Sequence, residues 1–465
     1  MAIWQPRLEG RTGPKYQQIV AALADDIASG RLRPGMRLPP HRILAYALGI
    51  SPNTTRRAYA DCVTRGLLRG EVGRGTFVRL QPEINGRGDS ADLSRPAAGP
   101  IDFSRNLPFP GSAASHLSRT LAELGRSTEL QAFLDYQAEA GLRHHLESGV
   151  DWLARTGVTA RPGEVVITCG AQHGILAALM AVTRPGDVLL TEELTYAPVR
   201  MMADRFGLHP HGVAMDQNGL LPEALDDACR RRAVKVLYLM PTLQTPTTII
   251  LSEERRRAIV DIARRHDLIL IEDDVYGPLV SARVTPVAGL APERTIYLSS
   301  CSKCLAPGLR VAFLRAPEAL APALRDAVTL SCWMPPPLMV EIASRWIADG
   351  TADRLTAVQQ SEAAARQKIA REVLAGHKIF SDRAGFHLWL SLPACWQATA
   401  FCAAAAKHGV LLTEGSAFAI ETASFQPAAV RLSLSHEPTR ERVINGLNIV
   451  ADLLRGQGGA NALVI

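Results

Sequence analysis

Apolar and polar positions follow a helical period at the start of the chain and a strand period soon after. In "YQQIVAALADDIASG" Tyr16, Ile19, Leu23 and Ile27 fall on one helical face, and Gly30 stops the run. "RLRPGMRLPPHRILAYALG" reads as a turn and a second short helix, with Ile43, Leu44, Ala47 and Leu48 as its expected core face. In "ISPNTTRRAYADCVTRGLL" Ser51 suits the N-cap and Pro52 the first helical position, where a missing N–H costs nothing. Thr55, Tyr59 and Val63 are expected inside, which leaves Asn53, Thr54, Arg56 and Arg57 outside near the helix start. After Gly66, "LLRGEVGRGTFVRL" predicts a two-stranded wing with Arg74 at its tip.

Residues 81–114 lose all period and are rich in Gly, Pro, Ser and Ala, which predicts a flexible tether. From 115 to 456 short apolar runs ("EVVITCG", "DVLLTEE", "KVLYLM", "LILIEDD", "TIYLSS") alternate with helical stretches. That rhythm predicts a mostly parallel sheet in an α/β domain, followed by a short tail over 457–465. An RGD triplet at 87–89 falls in the tether and is read as coincidence.

Charge sharpens the division. Of the net +6, residues 1–80 carry +8 and the remainder −2. A basic segment joined to a near-neutral domain points to nucleic acid rather than to a merely solvated face. Two helices around a tight glycine turn make a helix-turn-helix, whose second helix enters the major groove by its first residues. The stretch 14–79 resembles the winged helix of GntR-type bacterial regulators, on "GRLRPGMRLPPHR", "LGIS", "NTTRRAY", "RGLL" and "GRGTFV". The resemblance implies double-stranded DNA as partner and Arg42, Asn53, Thr54, Arg56 and Arg74 as its contacts. Pro52 departs from that family, which often has arginine there.

Ligands of a parallel sheet gather beyond the carboxyl ends of its strands. Those ends carry Gly170-Ala171-Gln172, Tyr196, Thr245, Asp273 with Tyr276, and "SSCSK" with Arg310 beyond. Pyridoxal 5'-phosphate needs this set. Lys303 offers an amine for its aldehyde. Ser300, Ser302, the Gly170–Gln172 turn and Arg310 suit its phosphate. Asp273 suits its ring nitrogen, Tyr276 its phenolic oxygen and Tyr196 its ring face. Residues 115–455 resemble fold-type-I aminotransferases in the order of these motifs. That resemblance implies that Arg431 in "VRLSLS" grips a substrate carboxylate. It also implies that Tyr136 reaches the phosphate of a neighbouring subunit, hence a homodimer with shared sites. The family's Asn-Pro-Thr-Gly reads "TPTT" here. Thr245 replaces the asparagine that bonds the C3 oxygen, which argues against efficient transamination.

Other readings are thinner. Ser300 to Lys303 fits S-x-x-K, but the S-D-N and K-T-G that enzymes of that type need are absent. Cys301 and Cys304 form C-x-x-C without a second ligand pair, so packed thiols are expected and no metal. His173 is read as a helix residue. The eight cysteines form no paired framework, no basic-then-apolar leader opens the chain, and no apolar run is long enough to span a membrane. A cytoplasmic setting is expected. Winged helix, tether and aminotransferase-like domain together resemble the MocR-type regulators. That implies a DNA-binding transcription factor whose effector, an amino compound or the cofactor itself, acts through Schiff-base chemistry at Lys303. A working aminotransferase remains the alternative.

Overall fold

Helices form at Lys15–Ala28, His41–Ala47 and Pro52–Thr64, where the apolar spacing predicts them. The structure, a computed structural model, describes residues 4–8, 13–28, 31–32, 35–64, 67–71, 75–78, 99–111, 113–137, 141–282, 284–421 and 427–456. The chain divides into two compact units, Met1–Asp92 and Leu93–Ile465.

In the first unit Ile19, Leu23, Leu44, Tyr59 and Cys62 pack with Leu38, Leu68 and Val78. The inward faces are rotated from expectation. Ala45 is buried while Ile43 is exposed, and Cys62 rather than Val63 completes the third helix's stripe. Seven residues from Thr55 is about 20° from it around a helix, whereas eight is about 80°, so Cys62 faces the core and Val63 leaves it. The third helix is locked to the second by side chains. Thr55 Oγ1 donates to the His41 carbonyl (2.8 Å) and Tyr59 OH to that of Pro39 (2.9 Å). Gly49 makes the turn between them with φ +61°. Ser51 Oγ accepts the Asn53 N–H (3.2 Å), satisfying one of the orphan donors at that helix start. The wing pairs Leu68–Glu71 antiparallel with Gly75–Val78. Arg74 lies outside the described residues.

The second unit is built on a seven-stranded sheet. Its order is Val165–Thr168, Ala312–Arg315, Thr295–Ser300, Ile269–Asp273, Val234–Leu239, Val188–Glu192 and His209–Val213. Only Ala312–Arg315 runs antiparallel to its neighbours. The interior strands Val234–Leu239, Ile269–Asp273 and Thr295–Ser300 are largely buried, as a sheet covered on both faces requires. A smaller antiparallel sheet holds Ile379–Phe380, His387–Ser391, Ala429–Ser433 and Thr413–Glu414.

The expected tether needs correction at its end. Residues 81–98 lie outside the described residues, but 99–111 belong to the second unit. Ile101–Asp102 pairs parallel with Val410–Leu411, Phe103 and Phe109 are buried, and a helix begins at Ala113. Proline and glycine masked an alternation of large apolar residues at 101, 103, 107 and 109. The tail 457–465 also lies outside the described residues.

Candidate functional site

A cavity of 610 Å³ opens at the carboxyl ends of the sheet strands. Each strand delivers its residues in the turn that follows. Thr168 leads to Ala171 and Gln172, Glu192 to Tyr196, and Leu239 to Thr245. Asp273 ends its strand, with Tyr276 close behind. Ser300 ends another and is followed by Ser302, Lys303 and Arg310. Arg431 enters from the smaller sheet. All of these line the one cavity, although they span some 260 positions of sequence, from 171 to 431.

Lys303 is half-buried, and its Nζ donates to the Asn106 carbonyl at 2.6 Å. Burial, then the nearby Arg431 charge, lowers its pKa to about 8, with Asp273 opposing. A tenth or so of such an amine is neutral, and nucleophilic, at pH 7. Asp273 is buried, and burial raises it to about 6, while the Tyr238 hydroxyl and the Val275 N–H moderate the rise. Tyr238 OH donates to Asp273 Oδ2 at 2.6 Å. Oδ1 has no hydrogen-bond partner among the described residues. A buried carboxylate oxygen without a donor invites one, and a protonated ring nitrogen would fill that role. Arg431 is likewise buried and pushed down to about 10 by burial. It donates to the Ser104 carbonyl and to Thr413 Oγ1 and lies 4.9 Å over the Phe418 ring, yet its Nε has no partner among the described residues.

The other end of the cavity suits an anion. Ser300 Oγ bonds Ser302 Oγ (2.9 Å) and accepts the Ser302 N–H (3.1 Å). The helix Ala171–Val182 starts at Gly170, which has φ +81°. A Cβ on Gly170 would come within 2.7 Å of Arg310 Nη2, so glycine is what lets the guanidinium close over the turn. Arg310, itself at φ +53°, donates to the Cys169 carbonyl (3.2 Å). Backbone N–H groups at a helix start and a guanidinium together fit a phosphate.

Some readings move. Tyr136 is 80% exposed, stands edge-on to Trp333 at 5.6 Å, and does not line the cavity of its own chain. Cys301 and Cys304 are fully buried, and burial pushes both thiols up, Cys304 to about 12, so they pack rather than react. His173 lies on the helix after the turn: Nδ1 accepts the Cys169 N–H (3.0 Å) and Nε2 meets Ser331 Oγ (2.8 Å). Thr248, in the position where the resembling family has glycine, adopts φ +63°, a costly conformation for a β-branched residue. In the first unit Arg42, Asn53 and Arg56 are exposed and Thr54 half-buried. Arg57 instead lies over the Tyr16 ring at 4.1 Å. Sequence reasoning missed Tyr238, Ser104 and Asn106. The first is hidden in a strand; the other two lie in the stretch taken for tether.

Residues 102–447 match the family described as aminotransferase class I and II, and residues 15–78 match bacterial regulatory proteins of the gntR family. The HTH-type transcriptional regulator YdeF of Bacillus subtilis is 28% identical over 456 residues, 97% of this chain and 96% of that protein. The vitamin B6 salvage pathway transcriptional repressor PtsJ of Salmonella typhimurium is 30% identical over 432 residues, 92% of this chain and 95% of that protein. The chain belongs to the MocR-type regulators. As in other MocR-type chains, a GntR-type DNA-binding unit is fused to an aminotransferase-like domain. Among solved structures, LysN, the α-aminoadipate aminotransferase of Thermus thermophilus complexed with N-(5'-phosphopyridoxyl)-L-leucine, matches with TM-score 0.67 and 25% identity. That match covers 77% of this chain and 92% of that one. This MocR-type chain is thus a DNA-binding regulator with a fold-type-I domain of the pyridoxal-phosphate-dependent class. No helix among its described residues is long and apolar enough to cross a membrane.

Proposed function

We propose that this regulator holds pyridoxal 5'-phosphate on Lys303 and senses an amino compound, or the cofactor itself, in the same cavity. The observation that carries the reading is the meeting of three groups there: the amine of Lys303, the Asp273 Oδ1 that has no donor among the described residues, and the buried guanidinium of Arg431. When bound, pyridoxal phosphate supplies an aldehyde that condenses reversibly with primary amines. The chain's own residues do the rest. Lys303, partly neutral near pH 7, provides the attacking nitrogen. Asp273 holds a proton on the ring nitrogen. Tyr276 donates to the phenolic oxygen. Ser300, Ser302, Arg310 and the helix start at Gly170–Gln172 bind the phosphate, and Tyr196 covers the ring.

Arg431 gives the effector its chemistry. A buried guanidinium whose Nε has no partner among the described residues favours a carboxylate, so an amino acid is the preferred class of amine. The name of the Salmonella relative, a repressor of vitamin B6 salvage, supports the cofactor as an effector in its own right. Asn53, Thr54, Arg56, Arg42 and Arg74 read or position duplex DNA, and the working assembly is a homodimer with Tyr136 serving the partner's site.

The test is optical. Full-length protein mixed with pyridoxal phosphate is expected to develop a band at about 410–430 nm, which Lys303→Ala abolishes. A protein that stays colourless, or a band that survives the substitution, refutes the reading.

A further inference from the structure

We propose that Asn106 is a positioning residue for the ring captured by Lys303, supplying the side-chain amide that position 245 lacks. The proposal rests on the cofactor reading above and goes beyond it in assigning a residue from outside the strand-end set. Thr245 is buried and lines the same cavity as the Tyr276 phenol, but a hydroxyl is shorter than an amide. Asn106 lines the same cavity. Its Nδ2 donates to Tyr276 OH at 2.7 Å, and its backbone carbonyl accepts from Lys303 Nζ at 2.6 Å. One residue therefore touches both the Lys303 amine and the Tyr276 phenol, the two groups that would hold the ring.

The orientation of this amide is fixed by its neighbours. Nδ2 also lies 3.3 Å from His387 Nδ1, and Oδ1 lies 3.5 Å from Ser435 Oγ. Burial, with Arg431 and Lys303 close by, holds His387 well below its ordinary pKa, so its ring is neutral, and in the tautomer protonated at Nε2 its Nδ1 accepts. Both amide hydrogens then have acceptors. A hydrogen donated into the Tyr276 oxygen leaves the phenol's own hydrogen to be given onward, and polarises it. Donors aimed at a phenolic oxygen stabilise its ionised form. The bound ring's titration is therefore set in part by Asn106. Capture of an aldehyde by Nζ would release water and leave the nitrogen at most one of its hydrogens, so the donor that now meets the Asn106 carbonyl would change on capture.

The experiment titrates full-length protein with pyridoxal 5'-phosphate across pH, following the visible band. Asn106→Ala is expected to weaken binding about tenfold and to raise the pH at which the band shifts by about one unit. Thr245→Asn placed in that background should restore both to within about threefold of the original. A merely structural role for Asn106 would not be repaired from position 245. Should Asn106→Ala fail to fold, Asn106→Ser carries the same comparison. If the coloured parent and the Asn106 variant bind and titrate alike, or if Thr245→Asn restores neither property, the proposal is overturned while the cofactor reading stands. If the parent itself never colours, both fall.

Discussion

Lys303 shows how far a single position can be read from sequence. Its place after an apolar strand, among serines and ahead of Arg310, is what singles it out as the candidate amine, and the structure places it in the cavity at the strand ends. Its acidity was not legible, because burial, its main cause, belongs to the fold and Arg431 lies 128 positions away. The consequence is measurable. A lysine lowered to about 8 loses its free amine as pH falls below that value. The rate at which the visible band forms, at fixed pyridoxal phosphate, should rise about tenfold per pH unit from pH 5 to 7 and level off above 8. An ordinary lysine near 10.5 would keep climbing past pH 9. A profile still rising there would show that the cavity does not depress Lys303. Tyr238 and Asn106 escaped the reading for the same reason as the pKa. Each matters through a partner, Asp273 or Tyr276, that only the fold brings close.

Elements were legible where period and length agreed. Five parallel strands and the three helices of the first unit carried clear apolar patterns. The edge strand His209–Val213 did not, since an edge tolerates Pro210 and polar side chains that a central strand excludes. Ile101–Asp102 is too short to announce itself. Helix faces were legible only to about one residue, which is why Val63 was placed inside and Cys62 was not. Between the helices of the DNA-binding unit, the decisive contact is Thr55 Oγ1 to the His41 carbonyl, a buried bond that fixes the third helix against the second. Thr55→Val keeps the shape and removes the donor, leaving that carbonyl short of a partner. The expected cost is about 1–2 kcal/mol. Read by mass-spectrometric hydrogen exchange, amides across Pro52–Thr64 should open at least fivefold faster than in the parent. The same substitution at Thr54, which is half-buried, should leave them unchanged. Equal protection in all three proteins would mean that apolar packing alone sets the helix pair.

At the scale of the whole molecule, the basic excess of residues 1–80 and the strand-end residues of the second unit made the combination of DNA binding and cofactor chemistry legible before any coordinates. Any coupling of one to the other is not legible there, because it would depend on contacts that no periodicity records. Asn106, whose carbonyl accepts from Lys303 Nζ, lies in the first described stretch after residues 81–98. Whatever the geometry of that coupling, linkage requires it to be reciprocal: a ligand that changes DNA affinity by some factor must itself bind by that factor more tightly or weakly in the presence of the operator. The assembly in which this happens can be tested through Tyr136. A tyrosine 80% exposed, set against a Trp333 that is itself 60% exposed, serves no purpose in its own cavity but is free to reach another. Suppose Tyr136→Ala and Lys303→Ala each fail to hold the cofactor at low concentration. Mixing the two proteins under conditions that exchange subunits yields mixed dimers. In each, one site inherits both lesions and the other inherits neither, if the tyrosine acts across the two-fold axis. About a quarter of all sites should then regain the visible band. If Tyr136 instead served its own chain, every site in every dimer would carry one lesion, and the mixture would remain as colourless as its parts.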